Sequence, residues 1–347
     1  MKAFLTLVLV VVLAIVGLFG YLTIAEYKPD DVENLAIARA ARNDAVTQGE
    51  MLKVVSFNTG YAGLDRTQDF FMDGGTRSKP NSKAEVEENA AAILSALVQQ
   101  GAQVYFLQEV DEDSARSYYV NQADYYFHGL SMNSVTAYNY VCDFVPIPWP
   151  PIGKVKSGLM TLTSLGATEA VRESLPVPFL WPLRTANLKR CLLIERVPVE
   201  GTDKELVLVN LHLEAYDSGE GKVAQTKQLM QLLSMERSKG NYVIAGGDFN
   251  QTFQDAKELP VLEQNPWLPG KLLNVDLPEG FRYVIDEDSP TCRSLMAAYE
   301  GDRSKTQMYI IDGFIVSDNL KVNNIETVDL NFRNSDHNPV SMQVTLQ

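Results

Sequence analysis

"IAGGDFNQ", Ile244–Gln251, decides how this chain is read. With Tyr242 and Val243 before it, Tyr242–Ala245 is an apolar run of strand length. Two glycines follow, and then Asp248 and Asn250 stand where the strand should end. Residues two apart on an extended chain project to the same side. The stretch therefore predicts a buried strand that delivers a carboxylate and a carboxamide together at its tip.

Similar runs recur on both sides of it. Leu52–Phe57, Val104–Leu107, Leu159–Leu162, Cys191–Val197, Leu206–Leu213, Tyr309–Val316 and Val340–Leu346 are apolar, of strand length and flanked by turn residues or charge. Lys83–Gln99 and Gly221–Arg237 have helical period instead; in the first, Val86, Ala90, Ile93, Leu94 and Leu97 form one stripe. Strands mixed with a few helices predict a layered α/β or α+β domain. No linker interrupts residues 51–347, so one domain is expected there. The proline-rich stretch "FVPIPWPPIGK", Phe144–Lys154, predicts an extended loop with exposed apolar rings.

The other strands also end on polar groups. "VVSFNTG" ends with Asn58, and "VYFLQEVD" carries Glu109. "LVLVNLHLEAYDSGEG" puts Asn210, His212 and Glu214 on one face. "MYIIDGFIVSDN" places Asp312 inside an apolar strand, and "NSDHNPVSMQV" sets Asp336 and His337 just before the last one. Each is ordinary alone: a lone buried Asp is most often hydrogen-bonded structure, and a strand-end Asn is commonly a turn former. Taken together they point to convergence. Desolvated carboxylates cost several kcal/mol unless paired or metal-bound, and a hard cation held by Asp and Glu oxygens accounts for such a cluster.

In their order and spacing, "SFNTG", "FLQEVD", "NLHLEAYDS", "GGDFNQ", "IIDGFIVS" and "SDHNPV" resemble the endonuclease/exonuclease/phosphatase superfamily, the DNase I-like fold. The resemblance runs from about Met51 to Gln347. It implies a four-layer α/β sandwich, two mixed sheets face to face with helices outside, and hydrolysis of phosphoesters with a divalent metal, Mg²⁺ or else Mn²⁺ or Ca²⁺. It further implies Glu109 as principal metal ligand with Asn58 beside it, and Asp336 completing the metal or histidine shell. Asp248 and Asn250 would orient the attacking water and the phosphate. Asp312 would hold His337, and His212 would donate a hydrogen bond to the phosphoryl oxygens or protonate the leaving group. Asp248 and His337 both remain candidates for the group that takes the water's proton, His337 with Asp312 behind it being preferred.

Substrate cues are of three kinds. "HLEAYDSGEG" before a helix, and "LKRCLLIERV", resemble the sphingomyelinase-like branch, in which a basic residue of the latter strand approaches the phosphate; Lys189 and Arg190 are the candidates. The stretch "VTAYNYVCDFVPIPWPPIGKVKSG" reads as a loop whose Tyr138, Tyr140, Phe144 and Trp149 would suit a lipid interface or pack over the domain edge. Arg77, in the glycine-bearing loop Phe70–Ser82, could cradle a phosphate or simply be solvated.

The chain opens with an uncharged span, Ala3–Ala25, long enough to cross a bilayer core of roughly 30 Å. A secretory signal has an apolar region of only about 7–15 residues and a small-residue cleavage site. Residues 1–26 are therefore read as an uncleaved membrane anchor before a cleaved signal. Residues 27–50 are read as a stalk and 51–347 as the catalytic domain. Lys2 before the span and Glu26, Asp30, Asp31 and Glu33 after it put the domain outside the cytoplasm. The net charge of −14 repels polyanions and disfavours nucleic acid as substrate. The three cysteines, Cys142, Cys191 and Cys292, show no Cys-x-x-Cys spacing and imply free buried thiols. The expected protein is a monomeric, membrane-anchored, extracytoplasmic phosphodiesterase for a lipid or small headgroup. A nuclease, an inositol-type phosphomonoesterase and a non-enzymatic binding module are the alternatives, and the last would have lost site residues.

Overall fold

The computed structural model describes residues 1–40, 42–262 and 267–347. Its principal elements, in chain order, are α1 (Lys2–Ile24), β1 (Val32–Asn34), β2 (Met51–Asn58), α2 (Lys83–Gln100), β3 (Val104–Asp111), α3 (Gln122–Leu130), β4 (Asn133–Val145), β5 (Gly153–Thr163) and β6 (Glu169–Ser174). There follow β7 (Cys191–Pro198), β8 (Glu205–His212), α4 (Glu220–Ser238), β9 (Tyr242–Asp248), β10 (Phe281–Val284), β11 (Asp312–Ser317), β12 (Leu320–Thr327) and β13 (Val340–Leu346).

The strands make two mixed sheets. One has the order β1-β6-β7-β8-β9-β11-β10, the other β12-β13-β2-β3-β5-β4. Each contains one parallel pair, β8 with β9 and β2 with β3, joined by a crossover helix, α4 or α2. Parallel neighbours require such a crossover. α2 is delimited locally: Ser82 Oγ accepts the Glu85 N–H at 3.2 Å, and Gly101 ends the helix in the left-handed region at φ +55.

Alternation along the strands fills three interfaces. Val54, Phe106, Leu208, Ile244, Phe314 and Val340 pack between the sheets. Leu229 and Leu233 of α4 cover one outer face with Val207 and Val243. Val86, Ile93 and Leu97 of α2 cover the other with Val55 and Leu107. The result is the four-layer α/β sandwich, DNase I-like, implied by the resemblance. α1 is long and apolar enough to cross a membrane.

Several expectations change. Residues 27–50 do not stand off as a stalk: β1 pairs with β6, Ala38 bridges Ser134, and Val46 is buried between the sheets. The segment is polar and alanine-rich in sequence, but its backbone completes a sheet edge. Tyr138 and Tyr140 lie in β4, paired along β5, so only the stretch around Pro146–Pro151 is the loop. The Tyr309–Val316 run is broken: Thr291 Oγ1 accepts the N–H groups of Ile311 and Asp312 at 3.0 and 3.1 Å, and β11 starts at Asp312. Asp312 therefore stands at the strand's start, not within it. The cysteines are free and buried.

Candidate active site

The carboxyl ends of the two parallel pairs face the same cleft, about 580 Å³ in volume. Cα pairing aligns its floor. Asp248 ends β9 opposite His212 of β8 on one side and Asp312 of β11 on the other. The glycines before it permit this close approach. A Cβ on Gly247 would stand 1.9 Å from the Leu211 carbonyl oxygen, and one on Gly246 would stand 2.3 Å from the Phe314 ring. Asn250 turns through the left-handed region at φ +49, which asparagine tolerates. Its N–H donates to Asp248 Oδ1 at 2.8 Å, and its side-chain amide donates to the Leu213 carbonyl at 2.9 Å. Asn250 thus fixes the Asp248 carboxylate.

Glu109 reaches the cleft through an irregularity in β3. The register with β5 shifts between Leu107 and Val110, and Glu109 takes φ +54. Such a bulge re-aims a side chain, and its strain is of order 1 kcal/mol. Asn58, ending the neighbouring β2, donates through Nδ2 to Asp248 Oδ2 at 3.0 Å and to Glu109 Oε1 at 3.4 Å, while its Oδ1 accepts the Gly60 N–H at 3.0 Å. In this arrangement Asn58 links the two carboxylates as a donor and does not offer its oxygen to the cleft.

His337 Nδ1 lies 2.8 Å from Asp312 Oδ2, and its Nε2 lies 3.6 Å from Asp248 Oδ2. His212 Nε2 approaches the same oxygen at 3.4 Å. All four groups are buried, so their charges interact strongly. Burial alone would push His337 down, but the Asp312 carboxylate outweighs it and holds the ring well above its ordinary range. His212 is driven well below its ordinary range by burial, Arg190 and the His337 charge, and is neutral. Asp248 is raised to about 7, by burial first and then by the Asp312 charge. Asp336 is raised to about 6 by burial, with the Glu109 charge adding to the rise.

Among the described residues, two groups of side chains offer ligand atoms within 4.8 Å of one another: Asp248, Asp312 and His337, and Cys292, Asp336 and His337. The first is already joined by the His337–Asp312 hydrogen bond. In the second, burial pushes the Cys292 thiol up to about 12, so it stays protonated and is a poor ligand. A divalent cation fits better at Glu109 and Asp336. Both line the cleft, and among the described residues neither forms a salt bridge. Two hard carboxylates free of salt bridges are a donor set that suits a hard cation.

Arg190, just before β7, enters the cleft. Its Nε lies 3.6 Å from Glu214 Oε2, and among the described residues its Nε and Nη1 have no hydrogen-bond partner. Buried guanidinium donors left open toward a cleft suit an anion. Lys189 points the other way, as adjacent residues of an extended segment do. Its Nζ pairs with Glu26 at 3.3 Å and touches the Arg184 carbonyl, so it is no phosphate ligand. Arg77 is also outside the site: Gln68 and Asn81 accept from its guanidinium at 3.0 and 3.3 Å, and it does not line the cleft. His128 sits exposed on α3 beside Asp124.

Some cleft residues had no role in the sequence reading. Arg116 is held by Asp111 at 2.9 Å and lies 3.9 Å from the centre of the Tyr61 ring. Tyr216 donates to Asp73 Oδ1 at 2.8 Å across the cleft mouth. Nothing in their local sequence marks them, because both are brought in by loops. Glu214, which strand alternation places on one face with His212, also lines the cleft, facing Arg190 at 3.6 Å.

Fold, strand-tip cluster and paired carboxylates together define a phosphoester hydrolase. The chain belongs to the Endonuclease/Exonuclease/phosphatase family, whose model matches residues 55–337. Members of this family act on phosphoester bonds and typically need a divalent metal. The structure is similar to an endonuclease/exonuclease/phosphatase from Beutenbergia cavernae (TM-score 0.60, 18% identity, covering 85% of this chain and 72% of that one). It is also similar to the human Nocturnin catalytic domain with bound sulfate anion (TM-score 0.52, 13% identity, covering 90% and 98%). A third is D. rerio TDP2 complexed with single-strand DNA product (TM-score 0.50, 15% identity, covering 85% and 99%). At these identities the likeness is one of fold. No curated protein matches the chain by sequence.

Proposed function

We propose that the protein is a membrane-anchored, extracytoplasmic phosphodiesterase that uses Mg²⁺, or Mn²⁺ or Ca²⁺ in its place, and hydrolyses the phosphodiester of a lipid or small headgroup. The observation that carries the reading is the convergence of Asp312, His337, Asp248 and His212 on one cleft that also holds Glu109 and Asp336. Glu109 and Asp336 would hold the cation, which when bound would offset charge on the phosphoryl oxygens. Arg190 binds a phosphoryl oxygen. Asp248, fixed by Asn250 and facing both imidazoles, takes the proton of the attacking water. This reverses the preference for His337, because the Asp312 charge keeps His337 protonated. As the water oxygen bonds to phosphorus, the ester P–O bond breaks and the leaving oxygen takes the proton from His337 Nε2. His212, neutral, donates a hydrogen bond. No covalent intermediate is needed.

A nuclease reading has one observation in its favour, the shared fold with TDP2 complexed with single-strand DNA product. The net charge of −14 weighs against it. The deciding experiment is hydrolysis by the full chain with Mg²⁺ of bis-p-nitrophenyl phosphate, sphingomyelin, phosphatidylcholine, plasmid DNA and inositol phosphates. Turnover confined to inositol monoesters or to DNA rejects the proposal.

A further inference from the structure

α1 does more than precede the domain. Its last turns pack into a cluster with Tyr140, Val145 and Ile152 through Leu18 and Leu22. Polar contacts fix the junction. Tyr21 donates to Asp143 at 3.0 Å, Trp181 Nε1 donates to Thr23 Oγ1 at 3.0 Å, and Arg184 donates to the buried Glu26 carboxylate at 2.9 Å. The helix therefore sets where a bilayer would lie. At 1.5 Å per residue its 23 residues span about 34 Å, close to the roughly 30 Å hydrocarbon core. Nearly the whole helix is needed to cross, so its Ile24 end marks one membrane surface.

At that level the domain exposes apolar side chains. Leu180 is 83% exposed and Leu183 66%. Trp181 lies against Phe19, with ring centres 6.0 Å apart. The same region opens into the catalytic cleft. Phe19 and Leu22 of the helix, with Leu183 and Ile147, line the same cavity as Glu109, Asp248 and His337. The cleft thus joins the acidic catalytic groups to an apolar wall built partly from the anchor.

Resting on the phosphodiesterase reading above, we infer that the membrane end of α1 and the segment 176–187 form the acyl-chain arm of the substrate site. The substrate is then a phospholipid of the adjoining leaflet. It enters from the membrane side, with its phosphodiester at Glu109 and Arg190 and its chain along Phe19, Leu22 and Leu183. A freely diffusing headgroup diester or a nucleic acid has no group for that wall, and burial of apolar surface there favours a chain over either.

The test uses the full chain in nanodiscs and alkyl p-nitrophenyl phosphates carrying methyl, octyl or dodecyl groups, which need no particular headgroup. kcat/KM should rise about tenfold or more from methyl to dodecyl. The dodecyl-to-methyl ratio should fall by about tenfold in the Phe19→Ala/Leu22→Ala double variant and in Leu180→Ser/Leu183→Ser. Partition of the long ester into the bilayer cannot produce that fall, since it is the same for every variant. Phosphatidylcholine brominated on its acyl chains should quench tryptophan fluorescence in the wild type and markedly less in Trp181→Phe. A ratio flat with chain length, or unchanged in both variants, overturns the inference while leaving the phosphodiesterase intact. Turnover of no ester overturns the phosphodiesterase reading and this one with it, and quenching then reports only on placement. Plasmid cleavage faster than dodecyl ester hydrolysis also overturns it.

Discussion

Asp248 and Asp312 occupy paired positions on adjacent antiparallel strands, two buried carboxylates facing the same imidazole. Their burial is tolerable because His337 lies between them as a cation. Asp312 holds its Nδ1 at 2.8 Å, and Asp248 stands 3.6 Å from its Nε2. Burial first, and then the Asp312 charge, raises Asp248 to about 7.

His337 and Asp312 should behave as a unit. Groups sharing one role are strongly non-additive. Asp312→Asn, His337→Ala and the double variant should each lose about 100-fold or more in kcat, a loss typical of removing general acid–base help. Steady-state kinetics on a diester whose leaving alcohol needs the proton, such as sphingomyelin or phosphatidylcholine, measures this. Losses that multiply would show that the pair does not act together.

Glu109→Gln should lose about 100-fold or more in rate and weaken Mn²⁺ binding, because removing a carboxylate from a cation seat removes both charge and a ligand. EDTA should abolish wild-type activity. Calorimetric titration of Mn²⁺ into the variant separates loss of metal from loss of fold; unchanged binding would place the cation elsewhere.

Arg190 and Lys189, adjacent in sequence, should differ in kind. Arg190→Ala should lower kcat/KM by about tenfold or more, as loss of a charge-assisted hydrogen bond of about 1.5–3 kcal/mol implies. Lys189→Ala leaves Glu26 with Arg184 and the more exposed Lys28 and should loosen the junction with α1, visible as faster amide exchange around residues 20–28. Equal kinetic losses would contradict the opposite orientations.

Glu195 sits on β7 facing the inter-sheet core, 1% exposed, and neither carboxylate oxygen has a hydrogen-bond partner among the described residues. Burial pushes it up to about 8. Below an unfolded value of about 4.3 both states hold the proton. Between there and about 8 the unfolded chain releases it and the fold does not. Stability therefore falls as pH rises, by about 1.4 kcal/mol per unit, and levels off above the folded value. Glu195→Gln should raise the melting temperature at pH 8 and change it little at pH 4. No difference between the two pH values would show that the carboxyl does not titrate in the fold.

Protease added to intact spheroplasts should digest the domain, and carbonate washing should leave the full chain in the membrane. A cleaved, soluble product would remove the anchor and keep export. Complete protection would remove both.

The strand tips were legible because each is a local pattern. An apolar run sets a strand, alternation sets the face, and a polar residue at its end has nowhere to go but the rim. Asn58, Asp248, Asn250, His212 and His337 were found in this way, and the two crossover helices by their period. The four-layer arrangement came from resemblance, since no local pattern states which sheet packs on which.

What the sequence alone determined, then, was which side chains could reach an edge. Which of them share a site was decided by contacts between distant segments. Glu109 faces the cleft because of a bulge in β3 whose register is set by β5, where Leu107 pairs with Met160 and Val110 with Gly158. Residues 27–50 look like a solvated stalk, yet β6 offers their backbone a free edge to pair with. Arg77 is spent on its own loop. Lys189 is drawn to Glu26, which α1 delivers from 163 positions away. Burial and charge depend on what surrounds a group in space, and chain order carries no record of that when the neighbours come from the far end of the sequence.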